Sequence, residues 1–326
     1  MRVIDAAAVD RVLTFPLLVD VLRQAFRDGA VQPVRHHHTI ARPDGAVSTL
    51  LLMPAWSDFA TAGRDGYVGV KVVTVSPDNN LAGKPAVMGS YLLLHGRTCE
   101  PLALIDGQRL TAWRTAAASA LASTYLSRAD SRKLLIVGAG ALAPFLAHAH
   151  AALRPVEEIR IWNRTPGNAH AVADSLRQGG VAASVATDLD EAVGWADIVS
   201  AATISTVPLI RGAALGPGTH VDLVGAFSPA MRESDERAVS RSSVYVDTRE
   251  GAMKEAGDIV QAIAEGALRP KDIRGDLYDL VRGDASGRTA PDEITLFKSV
   301  GAAIEDLAAG IAVYEAVSAS ARAGAG

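Results

Sequence analysis

The stretch Lys133-Leu-Leu-Ile-Val-Gly-Ala-Gly-Ala-Leu-Ala143 decides the fold of this chain. Leu134 to Val137 form an unbroken apolar run, as a strand buried on both faces requires. The run breaks straight into Gly138-x-Gly140-x-x-Ala143, and alanine-rich sequence of helical character follows. In that setting Gly138 permits a tight strand-to-helix turn. Gly140 leaves the backbone open to a pyrophosphate, and Ala143 lets the helix lie close on the sheet. The helix N-terminus then presents N–H groups and a positive dipole end to phosphate. Pro144 falls in the first turn, where it removes no intrahelical hydrogen bond. A glycine turn that merely packs a helix on a sheet would look the same in isolation. The strand before it, the helix after it and a second strand at the right distance make it a dinucleotide site.

That second strand, Glu158–Trp162, ends in Asn163-Arg164-Thr165, 25 residues after Gly138. An NAD site usually carries Asp or Glu at this point for the ribose 2′-hydroxyl, and a carboxylate there would repel a 2′-phosphate. Arg164 can pair with a phosphate instead, while Asn163 and Thr165 supply neutral hydrogen bonds. The expected cofactor is therefore NADPH, with NADH as the alternative; the bland reading of Arg164 is a solvated surface charge. Further strands are expected at Ala182–Ala186, Ile198–Ala201, His220–Val224 and Val244–Val246, with helical sequence between most of them. Such alternation predicts an α/β, doubly wound parallel sheet of the Rossmann kind. Gly138, Gly140, Ala141, Leu142, Asn163, Arg164 and Thr165, with Thr203 and Val224 at later strand ends, make up the expected cofactor-binding set.

The first third reads differently. Leu17–Arg27 is an amphipathic helix with Leu18, Val21, Leu22, Ala25 and Phe26 on one face. Strand-like runs follow at Ser48–Met53, Gly69–Val75, Val87–Leu94 and Pro101–Ile105, separated by turn formers such as Ser76-Pro-Asp-Asn-Asn80. An alanine-rich helix runs from about Thr111 to Leu126, and another spans Ser299–Ser318, with a frayed tail over Ala319–Gly326. The expected organisation is a sheet-rich domain over 1–115, completed by the C-terminal helix from 299, and a nucleotide domain over 116–298.

Composition narrows the function classes. The 326 residues are 49% hydrophobic and 21% charged, with net charge −4, so no basic field exists for nucleic acid or an anionic membrane. No apolar run approaches the roughly 20 residues of a membrane span. A single cysteine, Cys99, fits a reducing compartment, and Met1-Arg-Val-Ile-Asp5 lacks the apolar core of a signal peptide. A cytoplasmic protein is expected.

Three cations stand in apolar or small surroundings: Arg35 after Val31-Gln-Pro-Val34, Lys71 within Gly69-Val-Lys-Val-Val-Thr-Val75, and Arg114 within Leu110-Thr-Ala-Trp-Arg-Thr-Ala-Ala117. A lysine among valines must snorkel, face solvent or serve a site, and the pattern leaves these open. If the three converged, they would clamp a carboxylate, with arginine supplying a bidentate fork. His36-His37-His38 places two imidazoles on one face of a strand, but without a Cys, Asp or Glu partner it makes a poor metal site. A pocket mouth or subunit interface is the expected role, and no metal is expected. Cys99 has no basic motif around it and is not expected to act as a nucleophile.

Taken together, Val31–Arg35, Gly69-Val-Lys71, Leu110–Ala117, Val137–Gly140, Arg160–Thr165, Val224-Gly-Ala226, Lys254-Glu-Ala-Gly-Asp258 and Thr295–Gly301 resemble the ornithine cyclodeaminase/mu-crystallin family over nearly the whole chain. The resemblance implies a substrate and dimerisation domain built from both chain ends, a Rossmann domain between them, and a homodimer. It implies that Arg35, Lys71 and Arg114 are catalytic-site residues holding a substrate carboxylate. Arg160–Thr165 looks like the NADPH-binding mu-crystallin branch. True cyclodeaminases of the family carry an Asp that handles the ornithine amino group where this chain has Phe227. A family Thr is Ala86 here, and a common Gln of the glycine loop is Leu142. Phenylalanine can neither accept a proton nor pair an ammonium, so a cyclic imino acid suits the pocket better than a linear diamino acid. The expected activity is NADPH-dependent reduction of 1-pyrroline-2-carboxylate to L-proline, and of 1-piperideine-2-carboxylate to L-pipecolate. The alternatives are an alanine- or arginine-type amino-acid dehydrogenase, ornithine cyclodeaminase, and a non-catalytic NADPH-binding protein.

Overall fold

A computed structural model describes residues 1–60 and 66–323. The chain divides into two compact units: Met1–Arg114 with Ala303–Gly326, and Thr115–Ala302. The division falls inside one helix, Gly107–Leu126. That helix starts four residues before the expected Thr111, because Asp106 Oδ1 accepts the N–H of Arg109 (2.8 Å) and caps it directly at the strand end.

The first unit holds strands β1 (Arg2–Ile4), β2 (Ala30–Val31), β3 (His36–Ile40), β4 (Ser48–Ser57), β5 (Tyr67–Val75), β6 (Val87–His95) and β7 (Pro101–Asp106). Their order is β1-β7-β6-β5-β4-β2, with β3 also paired to β4. Among the described residues of this unit only the β1–β7 pairing is parallel. Register places Met53, Lys71, Tyr91 and Ile105 side by side across four strands, and all four are buried. The helix Ala303–Ala323 packs on β4, β5 and β6 and against the helix Phe15–Asp28. The latter buries Leu18, Val19, Leu22 and Phe26, and Thr14 caps it. Tyr91 fits only because two neighbours lack side chains. A Cβ on Gly69 would stand 1.8 Å from its hydroxyl, and one on Gly310 2.5 Å from its ring.

The second unit holds β8 (Lys133–Val137), β9 (Glu158–Trp162), β10 (Ala183–Val185), β11 (Ile198–Ala201), β12 (His220–Leu223), β13 (Ser243–Val246), β14 (Gly275–Asp276) and β15 (Thr295–Lys298). All pair in parallel, in the order β10-β9-β8-β11-β12-β15-β13-β14. Strand order reverses between β8 and β11, which is where ligands bind in such sheets. The α/β, doubly wound class is as the sequence predicts. Beyond the expected strands the sheet has β14 and β15, and β15 inserts between β12 and β13. Thr295-Leu-Phe-Lys298 is short, and a threonine and a lysine at its ends hide its complete burial.

The C-terminal helix corrects a second expectation. It begins at Ala303, not Ser299. Asp247 Oδ2 accepts the N–H groups of Val300 and Gly301, both at 2.7 Å, and Gly301 adopts φ +81°. A left-handed residue held this way cannot continue a right-handed helix. At the other end the helix runs on to Ala323, so the expected fraying does not hold for 319–323; residues 324–326 lie outside the described residues.

Candidate active site

At the turn after β8, Gly138 has φ +108°, and a Cβ there would lie 2.8 Å from Ala202 O and 3.1 Å from Thr203 Cγ2. Its N–H donates to Trp162 O at 2.8 Å, which ties the turn to β9. Gly140 differs: a Cβ there would meet nothing within 4 Å. The chain's own packing does not demand glycine at 140, whereas a pyrophosphate lying over the backbone would. Ala141 is exposed, and Leu142 stands at the N-cap with no side-chain hydrogen bond, so no side chain competes for the first helical N–H groups. Ala143 is buried under the helix Ala143–Leu153. These residues fit a dinucleotide.

Asn163 braces this loop from the end of β9. Its Oδ1 accepts the N–H of Ala139 at 3.2 Å, and its Nδ2 donates to Thr165 O at 2.9 Å. That leaves Arg164 and Thr165, both exposed, as the outward groups at the strand end. Arg164 pairs with no carboxylate among the described residues.

Thr203 and Val224 follow β11 and β12. Val224 is buried, and its N–H donates to Ala201 O at 2.8 Å. The N–H and Oγ1 of Thr203 both donate to Glu233 Oε1, at 2.7 and 2.9 Å. Glu233 Oε2 accepts from Gly225 N at 2.7 Å and Ala226 N at 3.2 Å. Lys298 Nζ lies 3.6 Å from Glu233 and 3.3 Å from Asp258, and all three side chains are fully buried. Burial pushes the Glu233 carboxyl up to about 7, against the opposing pull of Lys298. Phe227 is partly buried and packs on the core of this unit. None of Glu233, Asp258 and Lys298 was read from the sequence as a site residue.

In the first unit, Lys71 and Arg114 converge. Lys71 Nζ lies 2.8 Å from Asp306 Oδ1 and 2.7 Å from Oδ2; Arg114 Nε donates to the same Oδ1 at 3.0 Å. Arg114 Nη1 also donates to Glu305 Oε2 at 2.7 Å, and Thr111 Oγ1 lies 3.4 Å from Lys71 Nζ. Lys71 and Arg114 are nearly buried and both acids fully so. Burial, with the positive charge of Arg114, pushes Lys71 down to about 8, while Asp306 pulls the other way and Arg35 adds to the depression. Arg35 is half-buried in the loop between β2 and β3. That loop is tied to the helix carrying both acids, since Gln32 Oε1 accepts the N–H of Ile304 at 3.0 Å. Sequence reasoning missed Glu305 and Asp306. On a helix, adjacent acids read as a solvated face; the only signal was their setting in Val300-Gly-Ala-Ala-Ile-Glu-Asp-Leu-Ala-Ala309, where every other residue is small or apolar.

His36 and His38 sit on the exposed β3 with ring centroids 6.4 Å apart, and Ala86 is half-buried just ahead of β6. Cys99 is exposed in the turn after β6. Among the described residues no cluster of three His, Cys, Asp or Glu side chains is arranged to hold a metal, and no helix is long and apolar enough to cross a membrane.

Residues 2–321 match the sequence profile of the ornithine cyclodeaminase/mu-crystallin family. The protein SAR DEFICIENT 4 of Arabidopsis thaliana is 43% identical over 288 residues, covering 87% of this chain and 86% of that one. The Delta(1)-pyrroline-2-carboxylate reductase of Paracoccus denitrificans is 41% identical over 293 residues, covering 87% and 90%. Among solved structures, the Delta(1)-pyrroline-2-carboxylate reductase of Thermococcus litoralis, in complex with NADH and L-proline, aligns with TM-score 0.91 at 32% identity over 97% of both chains.

Proposed function

The chain belongs to the ornithine cyclodeaminase/mu-crystallin family, and on that premise we propose that it is an NAD(P)H-dependent reductase of cyclic ketimine carboxylates. Its substrates are 1-pyrroline-2-carboxylate, reduced to L-proline, and the six-membered 1-piperideine-2-carboxylate, reduced to L-pipecolate. The observation that carries this reading is the buried group of Lys71, Arg114 and Asp306. It places an ammonium with a pKa of about 8 beside a fixed guanidinium, in surroundings that exclude water. Arg114 and Arg35 hold the substrate carboxylate, for which a guanidinium offers matched donors. Lys71 stays charged near neutral pH and can pass a proton to the imine nitrogen. A protonated C=N carbon accepts hydride far more readily than a neutral one. The reduced nicotinamide, when bound, supplies that hydride. Phe227, where cyclodeaminases of the family carry an acid, supports reduction over deamination.

Gly138, Gly140, Ala141 and Leu142 line the pyrophosphate site in this reading, with Thr203 and Val224 toward the nicotinamide. Arg164 and Thr165 favour NADPH, because the end of β9 presents a cation and no acid. The protein acts as a homodimer in a reducing, cytoplasmic setting. Support for the dimer comes from the face of the first sheet opposite Lys71, where Leu50, Leu52, Val70, Val72, Leu92 and Leu94 are only half-covered or exposed. The test is oxidation of NADPH and of NADH with each imino acid. Turnover with at least one ring size supports the reading. A folded protein that binds dinucleotide yet reduces neither ring, with or without ammonia and an oxo acid, excludes it.

A further inference from the structure

The second unit contains a buried carboxylate that the chemistry above does not use. We propose that Glu233 is a positioning residue for the dinucleotide. Its ionised carboxylate ties the turn after β11 to the turn after β12, and so fixes the backbone against which the nicotinamide half of the cofactor rests. This rests on the reading of the glycine loop as a dinucleotide site.

The geometry carries the inference through a connected set of contacts. Oε1 holds Thr203 by its N–H and hydroxyl, and Oε2 holds the N–H groups of Gly225 and Ala226. Thr203 in turn abuts the glycine loop: its Cγ2 lies 3.1 Å from where a Gly138 Cβ would be. Gly225 is pressed against Thr203 so closely that a Cβ there would fall 1.9 Å from Thr203 O. Both turns stand at carboxyl ends of strands, where ligands of such sheets bind: β11 borders the switch point and β12 is its neighbour. One side chain therefore sets the spacing of two loops, the first of which abuts the phosphate turn. Phe227 follows immediately, and its N–H donates to Gly225 O at 3.0 Å, so it is placed by the same anchor.

Glu233 is itself held rigidly. Its N–H donates to Asp258 Oδ1 at 2.9 Å, and its carbonyl accepts from Leu209 and Ile210, both at 2.9 Å. The charged groups facing its carboxylate are Lys298 from β15 and Asp258 from the helix Gly257–Ala264. Burial favours proton uptake by this carboxylate, Lys298 opposes it and Asp258 adds to it. Every hydrogen-bonding neighbour of the carboxylate is a donor. A proton on Oε2 must displace the N–H of Gly225 or Ala226, which can only donate, and that turn is released; a proton on Oε1 turns the Thr203 hydroxyl from donor to acceptor. Glu233 takes up that proton near pH 7.

The test is the dissociation constant of NADH, followed by nucleotide fluorescence between pH 8 and pH 6. NADH is the probe because it lacks a 2′-phosphate, whose own ionisation would add a pH dependence. Wild-type affinity should fall roughly ten-fold at pH 6. The melting temperature of the ligand-free protein should not fall in parallel, because a raised carboxyl pKa favours the folded state as pH drops from about 7 toward 4.5. Glu233→Gln should bind NADH weakly at both pH values, with a flat profile. Thr203→Val, which removes one contact, should bind several-fold more weakly and keep the slope. Wild-type affinity that is constant from pH 8 to pH 6 overturns the proposal whether or not Glu233→Gln folds. A folded Glu233→Gln with wild-type affinity and slope also overturns it. Failure of the wild-type protein to bind either NADH or NADPH at pH 8 would instead sink the dinucleotide reading itself.

Discussion

Lys71 and Arg114 meet on one oxygen: Asp306 Oδ1 accepts from Lys71 Nζ at 2.8 Å and from Arg114 Nε at 3.0 Å. Two buried cations so close would repel each other strongly without that carboxylate. Asp306 therefore does more than pair an ion. It allows a lysine in a strand and an arginine in a helix to stand together, and it sets how readily Lys71 gives up its proton.

The reduction rate should report this directly. Lys71 sits at about 8, below the ordinary lysine value, so its ammonium is lost as pH rises through 8. If that ammonium protonates the imine, kcat/KM for the imino acid falls above about pH 8. Asp306→Asn removes the group that holds the Lys71 pKa up, so the alkaline limb moves to lower pH. Breaking a buried pair on one side also costs roughly 3–5 kcal/mol of stability, readable by denaturant unfolding. An alkaline limb in the same place for both proteins would show that Lys71 is not the titrating group.

Cofactor choice should turn on the end of β9. Arg164 is exposed and pairs with no carboxylate among the described residues, so Arg164→Ala should raise KM for NADPH by about ten-fold or more and leave NADH nearly unchanged. Asn163→Asp keeps an oxygen to accept the Ala139 N–H and adds a carboxylate, so preference should move toward NADH. Steady-state KM values for both nucleotides decide it. Equal losses for the two would place Arg164 outside 2′-phosphate recognition.

A stability prediction comes from Tyr91. Its hydroxyl is buried without a hydrogen-bond partner among the described residues, and burial pushes its pKa well above the ordinary tyrosine value. An unsatisfied buried hydroxyl costs about 1–3 kcal/mol. Tyr91→Phe should therefore stabilise the protein by about 1 kcal/mol, seen as a rise in the urea midpoint with unchanged slope. Gly69→Ala should do the opposite, since its Cβ would stand 1.8 Å from that hydroxyl. A destabilised Tyr91→Phe would mean that the hydroxyl has a partner in solution.

What the sequence revealed depended on how local the signal was. The glycine turn, the Asn163-Arg164-Thr165 end and the strand–helix alternation are contiguous patterns, and each implies its structure through backbone geometry and periodicity. Lys71 and Arg114 could be singled out as misplaced cations, but not joined, because the group that joins them lies 235 residues from Lys71. Lys298 was hidden for the same reason. A lysine ending a four-residue strand looks like a strand meeting solvent, and its partners Glu233 and Asp258 are distant in sequence. Buried ion pairs are set by tertiary closure, which no local pattern encodes. The early end set for the loop before the C-terminal helix failed differently: Ser299-Val-Gly-Ala-Ala303 has helical composition, and Asp247 overrides it.

The outer face of the first sheet gives the final prediction. Alternation along β4, β5 and β6 sends Met53, Lys71 and Tyr91 to the helix-covered side, so Leu52, Val70, Val72 and Leu92 face away from it. Val72 on this face is 39% exposed, and Met88 of β6 is 38% exposed. A contiguous apolar sheet face left open in one chain is the hallmark of an interface, and a stable one buries about 800 Å² per partner. A second copy is the occupant that family membership suggests. Val72→Asp combined with Leu92→Asp should convert a dimer into a monomer in analytical ultracentrifugation. The substitutions lie opposite the helix-packed face, so far-ultraviolet circular dichroism should be unchanged. A wild-type protein that sediments as a monomer at micromolar concentration would refute the dimer, and a dimer that survives both aspartates would move its interface elsewhere.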